Sequence, residues 1–344
     1  MPSLFFLLSG ENPTLPASEL EAVLQAEGYG YRNLRRSSQL VRLEAASECV
    51  PAVVGRSAYV NEGCLELVEA DGDWTHLIKK IEKTGFDGVL PPGSTIAVRA
   101  RGVGGVTVDV PRAEREVGAS ILRRMRDLRV RLDNPTHRLR VACGEGFSLM
   151  GLELAHRKEK EFYYRRAFRR PFFLPTALQP KFARCMVNMA RVSRGDSVLD
   201  PFAGTGSLLV EAGLLGCRVA GLELKGWICR GALKNIGHYL ADYDAPIAAD
   251  ARRAPLRDGW NAIVTDPPFG RSSTTLGLPP KRLLEEFLPK AYGYLKTGGY
   301  MCITVPSEID LEEVAGGFGY QLVERHTIFI HDRLTRKLLV MRKR

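Results

Sequence analysis

The stretch VLDPFAGTGSLLVEA, Val198 to Ala212, decides how the second half of the chain folds. An apolar run ends in an acid, Asp200, a turn carrying Gly204 and Gly206 follows, and apolar residues at helical spacing begin near Ser207. Glycines let backbone approach a ligand closely, and the first turn of a new helix offers amide N–H groups with no internal partner. In open α/β sheets this strand, turn and helix place a ligand outside the carboxyl end of the strand, where the strand order reverses. The turn is not a dinucleotide fingerprint, because Leu209 stands where GxGxxG has its third glycine. Nor is it a triphosphate loop, since no GKS or GKT closes it.

Outward from this turn, apolar runs alternate with amphipathic helical segments: SVLD, SLLVEAGLLG, RVAGLEL, WICRGALKNIGHYL, PIAAD, NAIVTD, KRLLEEFLPKAYGYL and YMCITVP. Strands apolar throughout and alternating with helices predict a mostly parallel sheet covered on both faces, a Rossmann-like α/β fold. The end reads differently. YQLVERHTIFIH and TRKLLVMR are strand-like runs joined by a short charged connection, Asp332 to Leu334, which predicts a terminal antiparallel hairpin.

Acids close successive strands of this half. Asp200 ends the first, near where a cationic ammonium would be held. Glu223 ends RVAGLE, about twenty residues after the glycines, where a carboxylate accepts hydrogen bonds from ribose hydroxyls. Asp250 ends PIAAD, placed to accept from an adenine amino group. Helix capping explains any one of these acids. The set, with no basic residue poised for a pyrophosphate, describes a ligand that is nucleoside plus amino acid, and the cofactor read from it is S-adenosylmethionine.

The fourth strand runs into TDPPFG, Thr265 to Gly270. An exocyclic amine conjugated to a ring is a poor nucleophile, because its lone pair is delocalised. Hydrogen bonds from its N–H groups to the Asp266 carboxylate and the Pro267 carbonyl draw the nitrogen towards a pyramid and aim the lone pair. Pro267 and Pro268 fix the backbone so that this carbonyl leaves the ladder, Phe269 offers a face to a base, and Gly270 lets the chain turn away. The chemistry expected is an in-line displacement assisted by orientation and electrostatics.

The chain has 344 residues, a formal charge of +10 and a pI near 9.3, a balance that favours a polyanionic partner. No apolar run approaches the roughly 18 residues of a membrane span, and no charged leader precedes an apolar segment, so a cytoplasmic protein without membrane contact is expected. Seven scattered cysteines show no CxxC pair, so reduced, packed thiols and no metal are expected. None of the six histidines falls in a motif, and no obligatory protein partner is evident.

The first half, from LFFLLSG through ASELEAVLQAEG to QLVRLEA and then DWTHLIKKIEKTG, STIAVRARG and HRLRVACGEG, mixes strands and helices without a glycine-rich phosphate loop. It predicts an α+β, ferredoxin-like region ahead of the α/β domain. Between the halves, RKEKEFYYRRAFRRP interleaves arginines with Phe162, Tyr163, Tyr164 and Phe168, a mixture suited to phosphates and base faces. Arg165, Arg166, Arg169 and Arg170 here, with Arg123, Arg124 and Arg126 upstream, are the expected phosphate contacts.

DPPFG resembles the tetrad of S-adenosylmethionine-dependent amino methyltransferases acting on adenine N6, cytosine N4 or guanine N2. STIAVRARG, REVGASILRRM and VRLDNPTHRLRV resemble the THUMP domain of RNA-modifying enzymes. A THUMP region ahead of RPFFLPTALQPKFARCMVNMARV and DPFAGTGSLLVEA resembles the archaeal family of tRNA guanine N2-methyltransferases that modify guanosine 10, and the resemblance covers nearly the whole chain. It implies a class I methyltransferase fold, with Asp200, Phe202, Gly204, Thr205 and Gly206 around the methionyl part. Glu223 is then at the ribose, Asp250 and Ala251 at the adenine, and Asp266 to Phe269 at the guanine. Pro175 and Thr176 match the segment that covers the cofactor. The partner implied is tRNA, its acceptor end docked by the THUMP domain.

The divisions expected are 1–55, ferredoxin-like; 56–156, THUMP; 157–180, basic linker; and 181–344, methyltransferase. Modification of guanosine 6, adenine N6 methylation of DNA or RNA, and an RNA-binding module with an inactive methyltransferase fold stand as alternatives. Glu223 departs from the family pattern, where Asp is common.

Overall fold

A computed structural model describes the chain except residues 87, 159, 245, 270–277 and 332–333, together with the side chains of 330, 331 and 334. The chain divides into two compact units, Met1–Leu20 with Gly28–Lys158 and Glu21–Glu27 with Glu159–Arg344.

The first unit is built on β1 (Ser3–Leu8), the part of α1 (Leu15–Ala26) up to Leu20, β2 (Tyr31–Arg36), β3 (Leu40–Ala45), α2 (Cys49–Arg56) and β4 (Val60–Asp71). It continues through α3 (Trp74–Ile81), β5 (Thr95–Gly102), α4 (Val110–Arg124), β6 (Arg129–Val130), β7 (His137–Gly144) and β8 (Phe147–His156). All its strands form one sheet in the order β2-β3-β1-β4-β8-β7-β5-β6. β4 pairs with β1 on one side and β8 on the other, so residues 1–55 and 56–156 share that sheet. The sequence reading did not name β2, β4 or β8. β4 pairs with register shifts at Gly63/Cys64 and Glu66/Val68, which break the two-residue alternation by which a strand is recognised.

Two capped helices cover one part of this sheet. Asp73 caps α3 by accepting from Thr75 N at 3.0 Å, and Asp109 caps α4 by accepting from Arg112 N at 3.2 Å. Trp74, Leu77 and Ile81 of α3 and Val117 and Ile121 of α4 pack with Ile96, Val98 and Val141 of the strands. Arg123 and Arg124 fall in the last turn of α4, where a cation suits the helix dipole.

The second unit contains α5 (Pro180–Met189), β9 (Ser197–Asp200), α6 (Ser207–Leu214), β10 (Arg218–Glu223), α7 (Gly226–Tyr239), β11 (Ile247–Ala248) and β12 (Trp260–Thr265). Then come α8 (Pro280–Tyr294), β13 (Leu295–Pro306), α9 (Leu311–Gly317), β14 (Tyr320–His331) and β15 (Leu334–Lys343). The strand order is β11-β10-β9-β12-β13-β15-β14. β9 to β13 pair in parallel, and β15 pairs antiparallel with both β13 and β14. The chain leaves β9 towards one edge and returns to β12 on the other side, so the order reverses between these two strands. Asp200 and Asp266 follow from that position. The residues expected to connect the hairpin, 332 and 333, and Gly270 lie outside the described residues. All seven cysteines are buried, and among the described residues no helix is long and apolar enough to cross a membrane.

Candidate active site

The glycine turn opens at Asp200, which is 1% exposed. Its Oδ1 accepts from Phe202 N at 3.1 Å and from Thr265 Oγ1 at 2.8 Å, tying the turn to the end of β12. Burial pushes the Asp200 carboxyl up to about 7, and the nearby Asp266 and Glu223 carboxylates push it the same way. Gly204 and Gly206 take φ of 51° and 81°, the left-handed region that favours glycine. A Cβ on Gly204 would meet nothing nearer than Phe202 O at 3.9 Å, an ordinary contact, so the backbone there is not crowded by described side chains.

Leu209, the residue that breaks the dinucleotide fingerprint, has a structural counterpart. A Cβ on Gly221 of β10 would lie 2.6 Å from Leu209 Cδ1 and 2.9 Å from Ala203 Cβ. Helix and strand approach closely here because the missing side chain is on the strand, and the leucine fills the helix side. Thr205 O accepts from Asn235 Nδ2 of α7 at 2.9 Å, holding the far side of the turn.

Glu223 braces two turns at once. Its Oε2 accepts from Gly204 N at 3.1 Å and its Oε1 from Lys225 N at 2.9 Å. Among the described residues neither Asp200 nor Glu223 has a cationic side-chain partner.

Asp250 differs from its expectation in two respects. β11 ends at Ala248, so Asp250 lies beyond the strand. Both its oxygens are bound by Arg252, Nε to Oδ1 at 3.0 Å and Nη2 to Oδ2 at 2.6 Å, and this hydrogen bonding holds the carboxyl below its ordinary value. Arg252 also donates to Glu286 Oε2 at 2.7 Å. Ala251 is buried in the apolar cluster beneath, against which Phe202 and Phe269 pack.

Asp266 follows β12 and is partly buried, with Pro267 buried and Pro268 and Phe269 half-buried beside it. Its Oδ1 accepts from Arg336 Nη1 at 2.7 Å and also from Thr304 Oγ1. The register explains the meeting. Arg336 of β15 stands opposite Pro306 of β13, two residues from Thr304, so both donors project from one face. Sequence reasoning missed Thr304, Asn235, Arg252 and Arg336, which stand in no motif, and gave no role to Thr265, the first residue of TDPPFG.

The linker arginines sort into two groups. Arg166 and Arg169 are exposed, as are Arg123, Arg124 and Arg126 of the first unit. Arg123 is 3.2 Å from Glu82. Arg165 and Arg170 are turned inward, contrary to expectation. Arg165 donates Nε and Nη2 to the two oxygens of buried Glu211, at 2.8 and 3.2 Å, and Arg170 donates Nη1 to Ser207 Oγ at 2.6 Å. The carboxylate of Glu211 in an otherwise apolar helix demands cations, and Arg165 and Arg184 supply them. Pro175 and Thr176 are exposed, on a segment anchored where Leu178 O accepts from Ser207 Oγ at 3.3 Å.

Two family descriptions match this layout. Residues 167–337 match the RMKL-like methyltransferase domain and residues 75–153 the THUMP domain. The tRNA (guanine(10)-N2)-dimethyltransferase of Methanothermobacter thermautotrophicus is 33% identical over 99% of each chain. The chain belongs to that family. The protein of the same name from Pyrococcus abyssi is 35% identical over 73% of this chain and 74% of its own. Crystalline TrmN from Thermus thermophilus, 21% identical, superposes with a TM-score of 0.55 over 99% of this chain and 100% of its own, a likeness of fold. The methyltransferase-domain match, residues 167–337, lies within the second unit and contains the acids at its strand ends and the tetrad at Asp266.

Proposed function

We propose that this protein transfers methyl groups from S-adenosylmethionine to the exocyclic N2 amine of guanosine 10 in tRNA. The observation that carries the reading is Asp266, held by one oxygen at the end of β12 beside an acid-lined glycine turn, in a chain whose full-length relative bears the name of that activity. That name also supports a second transfer, giving the N2-dimethyl product.

The residues present suit the cofactor. Asp200 is an acid raised by burial and by neighbouring acids, with no cationic partner among the described residues, so a cationic ligand relieves the site. The absence of a side chain at Gly204, with no described atom closer than 3.9 Å to a Cβ there, suits a ligand lying against backbone. On this reading Asp200, Phe202, Gly204, Thr205 and Gly206 surround the methionyl part, Glu223 holds the ribose, Asp250 and Ala251 adjoin the adenine, and Thr176 covers it. S-adenosylmethionine supplies a methyl carbon activated by its sulfonium, leaving the chain to orient the acceptor.

Asp266 and the Pro267 carbonyl accept hydrogen bonds from the amine. With Oδ1 claimed by Thr304 and Arg336, Oδ2 is the oxygen left facing the substrate. Negative charge so placed stabilises the positive charge that develops on nitrogen as its lone pair forms the new bond. Pro268 stiffens the backbone and Phe269 offers a face to guanine. For the partner, we assign residues 56–156 to docking the tRNA acceptor end, with Arg123, Arg124, Arg126, Arg166 and Arg169 on phosphates and 1–55, 157–180 and 181–344 as the remaining parts. The test is nucleoside mass analysis of an unmodified tRNA transcript after reaction with labelled donor. Appearance of N2-dimethylguanosine supports the reading, and label confined to another nucleoside overturns it.

A further inference from the structure

The linker buries its salt bridges and exposes its rings. Tyr164 and Phe168 are 61% and 60% exposed, with Tyr163 beside them at 36%. Aromatic side chains dominate the energetics of cores, and leaving several rings in water within a short segment forgoes that stabilisation. The guanidinium of Arg169 lies 4.3 Å from the centre of the Tyr163 ring, and its Nη2 donates to the Tyr163 hydroxyl at 2.6 Å. Arg166 lies over the same ring at 5.2 Å, and Tyr163 meets Tyr164 edge-on at 5.6 Å. The two cations are therefore held beside the rings.

The segment beneath is fixed. Arg165 pairs with buried Glu211, and Arg170 donates to Ser207 in the first turn of α6. Phe172 exchanges backbone hydrogen bonds of 2.8 and 2.9 Å with the side chain of Asn235, which also holds Thr205 of the glycine turn. The exposed rings thus stand on a base bolted to the cofactor turn.

We infer that Tyr164 and Phe168, edged by Arg166 and Arg169 held over Tyr163, form a stacking platform for unpaired nucleotides of the RNA substrate. The inference rests on the tRNA reading and adds to it which feature of the RNA is held. Aromatic faces stack on any base, and guanidinium groups take the phosphates between stacked bases. The chain's net charge of +10 gives the complementarity a polyanion needs. A helical RNA hides its base faces, so this surface is suited to a strand with its bases open.

The test uses the full chain and two labelled probes, a tRNA transcript and an unpaired oligouridylate, with binding measured by anisotropy across a salt series. The double variant Y164A/F168A should lose about tenfold to hundredfold affinity for both probes at every salt concentration, with the salt slope and S-adenosylmethionine affinity unchanged. Y164F/F168Y, which keeps the ring faces, should bind as the parent does. R166A/R169A should instead flatten the log–log salt slope by about one to two units.

Parental affinity of Y164A/F168A for both probes overturns the platform and leaves the methyl-transfer reading standing. Ring-dependent binding of the oligonucleotide by a chain that methylates no tRNA upholds the platform and overturns the substrate. Absence of RNA binding by the parental chain overturns both.

Discussion

Arg336 Nη1 donates to Asp266 Oδ1 across 2.7 Å, from a strand seventy residues further along the chain. Thr304 donates to the same oxygen. Two donors on one carboxylate oxygen fix its rotamer, and on the proposed reading the other oxygen accepts from the amine. Replacing Arg336 by Met should lower kcat roughly 10–150-fold, the span of one charge-assisted hydrogen bond, with tRNA and cofactor affinities kept. R336K should recover part of the loss. A parental kcat in R336M would remove Arg336 from any positioning role.

The same geometry makes a counter-intuitive prediction for Asp266→Asn. The amide oxygen should take the place facing Arg336 and Thr304, because only it can accept from them. The amide nitrogen then points a donor at the donor N–H of the guanine. D266N should therefore be as defective as D266A, each losing at least about one to two orders of magnitude in kcat. Substantial activity in D266N alone would show that the two donors do not hold the carboxylate during turnover.

On the proposed reading, Asp200 links cofactor affinity to pH. Its carboxyl is raised from 3.8 to about 7 in the folded chain, burial being the largest cause. A raised acid contributes stability that is fully present below 3.8 and lost as pH rises through about 7, where a buried charge must form. Without cofactor, thermal stability should fall between about pH 4 and 7 and level off above, and D200N should remove much of that fall. A cationic ligand favours the ionised form, so S-adenosylmethionine affinity measured by calorimetry should rise by up to about tenfold per unit below pH 7 and level off above. Affinity flat across that range would count against a charged Asp200 in the bound state.

Gly221 predicts a packing effect beside the glycine turn, where it stands opposite Asp200. Alanine there would place Cβ 2.6 Å from Leu209 Cδ1, an overpacking that costs about 1–3 kcal/mol. G221A should lower the melting temperature, and trimming the leucine in G221A/L209V should return part of it. An unchanged melting temperature in G221A would mean that helix and strand are not in close contact here.

Much of the second unit was legible because buried parallel strands read as unbroken apolar runs, and their order placed the acids at one edge. SVLD and RVAGLE lie in β9 and β10, NAIVT lies in β12 with Asp266 just beyond it, and the terminal pair forms the expected antiparallel pairing. β4 was not legible, since its bulges disturb the alternation. Arg336 was hidden for another reason. Its meeting with Asp266 depends on the register of β15 against β13, which no local pattern specifies. The linker has no period by which inward and outward arginines separate, so Arg165 and Arg170 looked like Arg166 and Arg169. The one available signal was Glu211, a lone acid within SLLVEAGL that, once buried, needs cationic partners.

The central claim is methylation of the guanine amine at position 10, and the most direct measurement compares a tRNA transcript with a copy carrying inosine there. Inosine lacks only the exocyclic amine, so shape, charge and docking are retained. Transfer of label to the first and none to the second is the predicted result, with the product mass counting one or two methyl groups. Equal labelling of both would contradict the account.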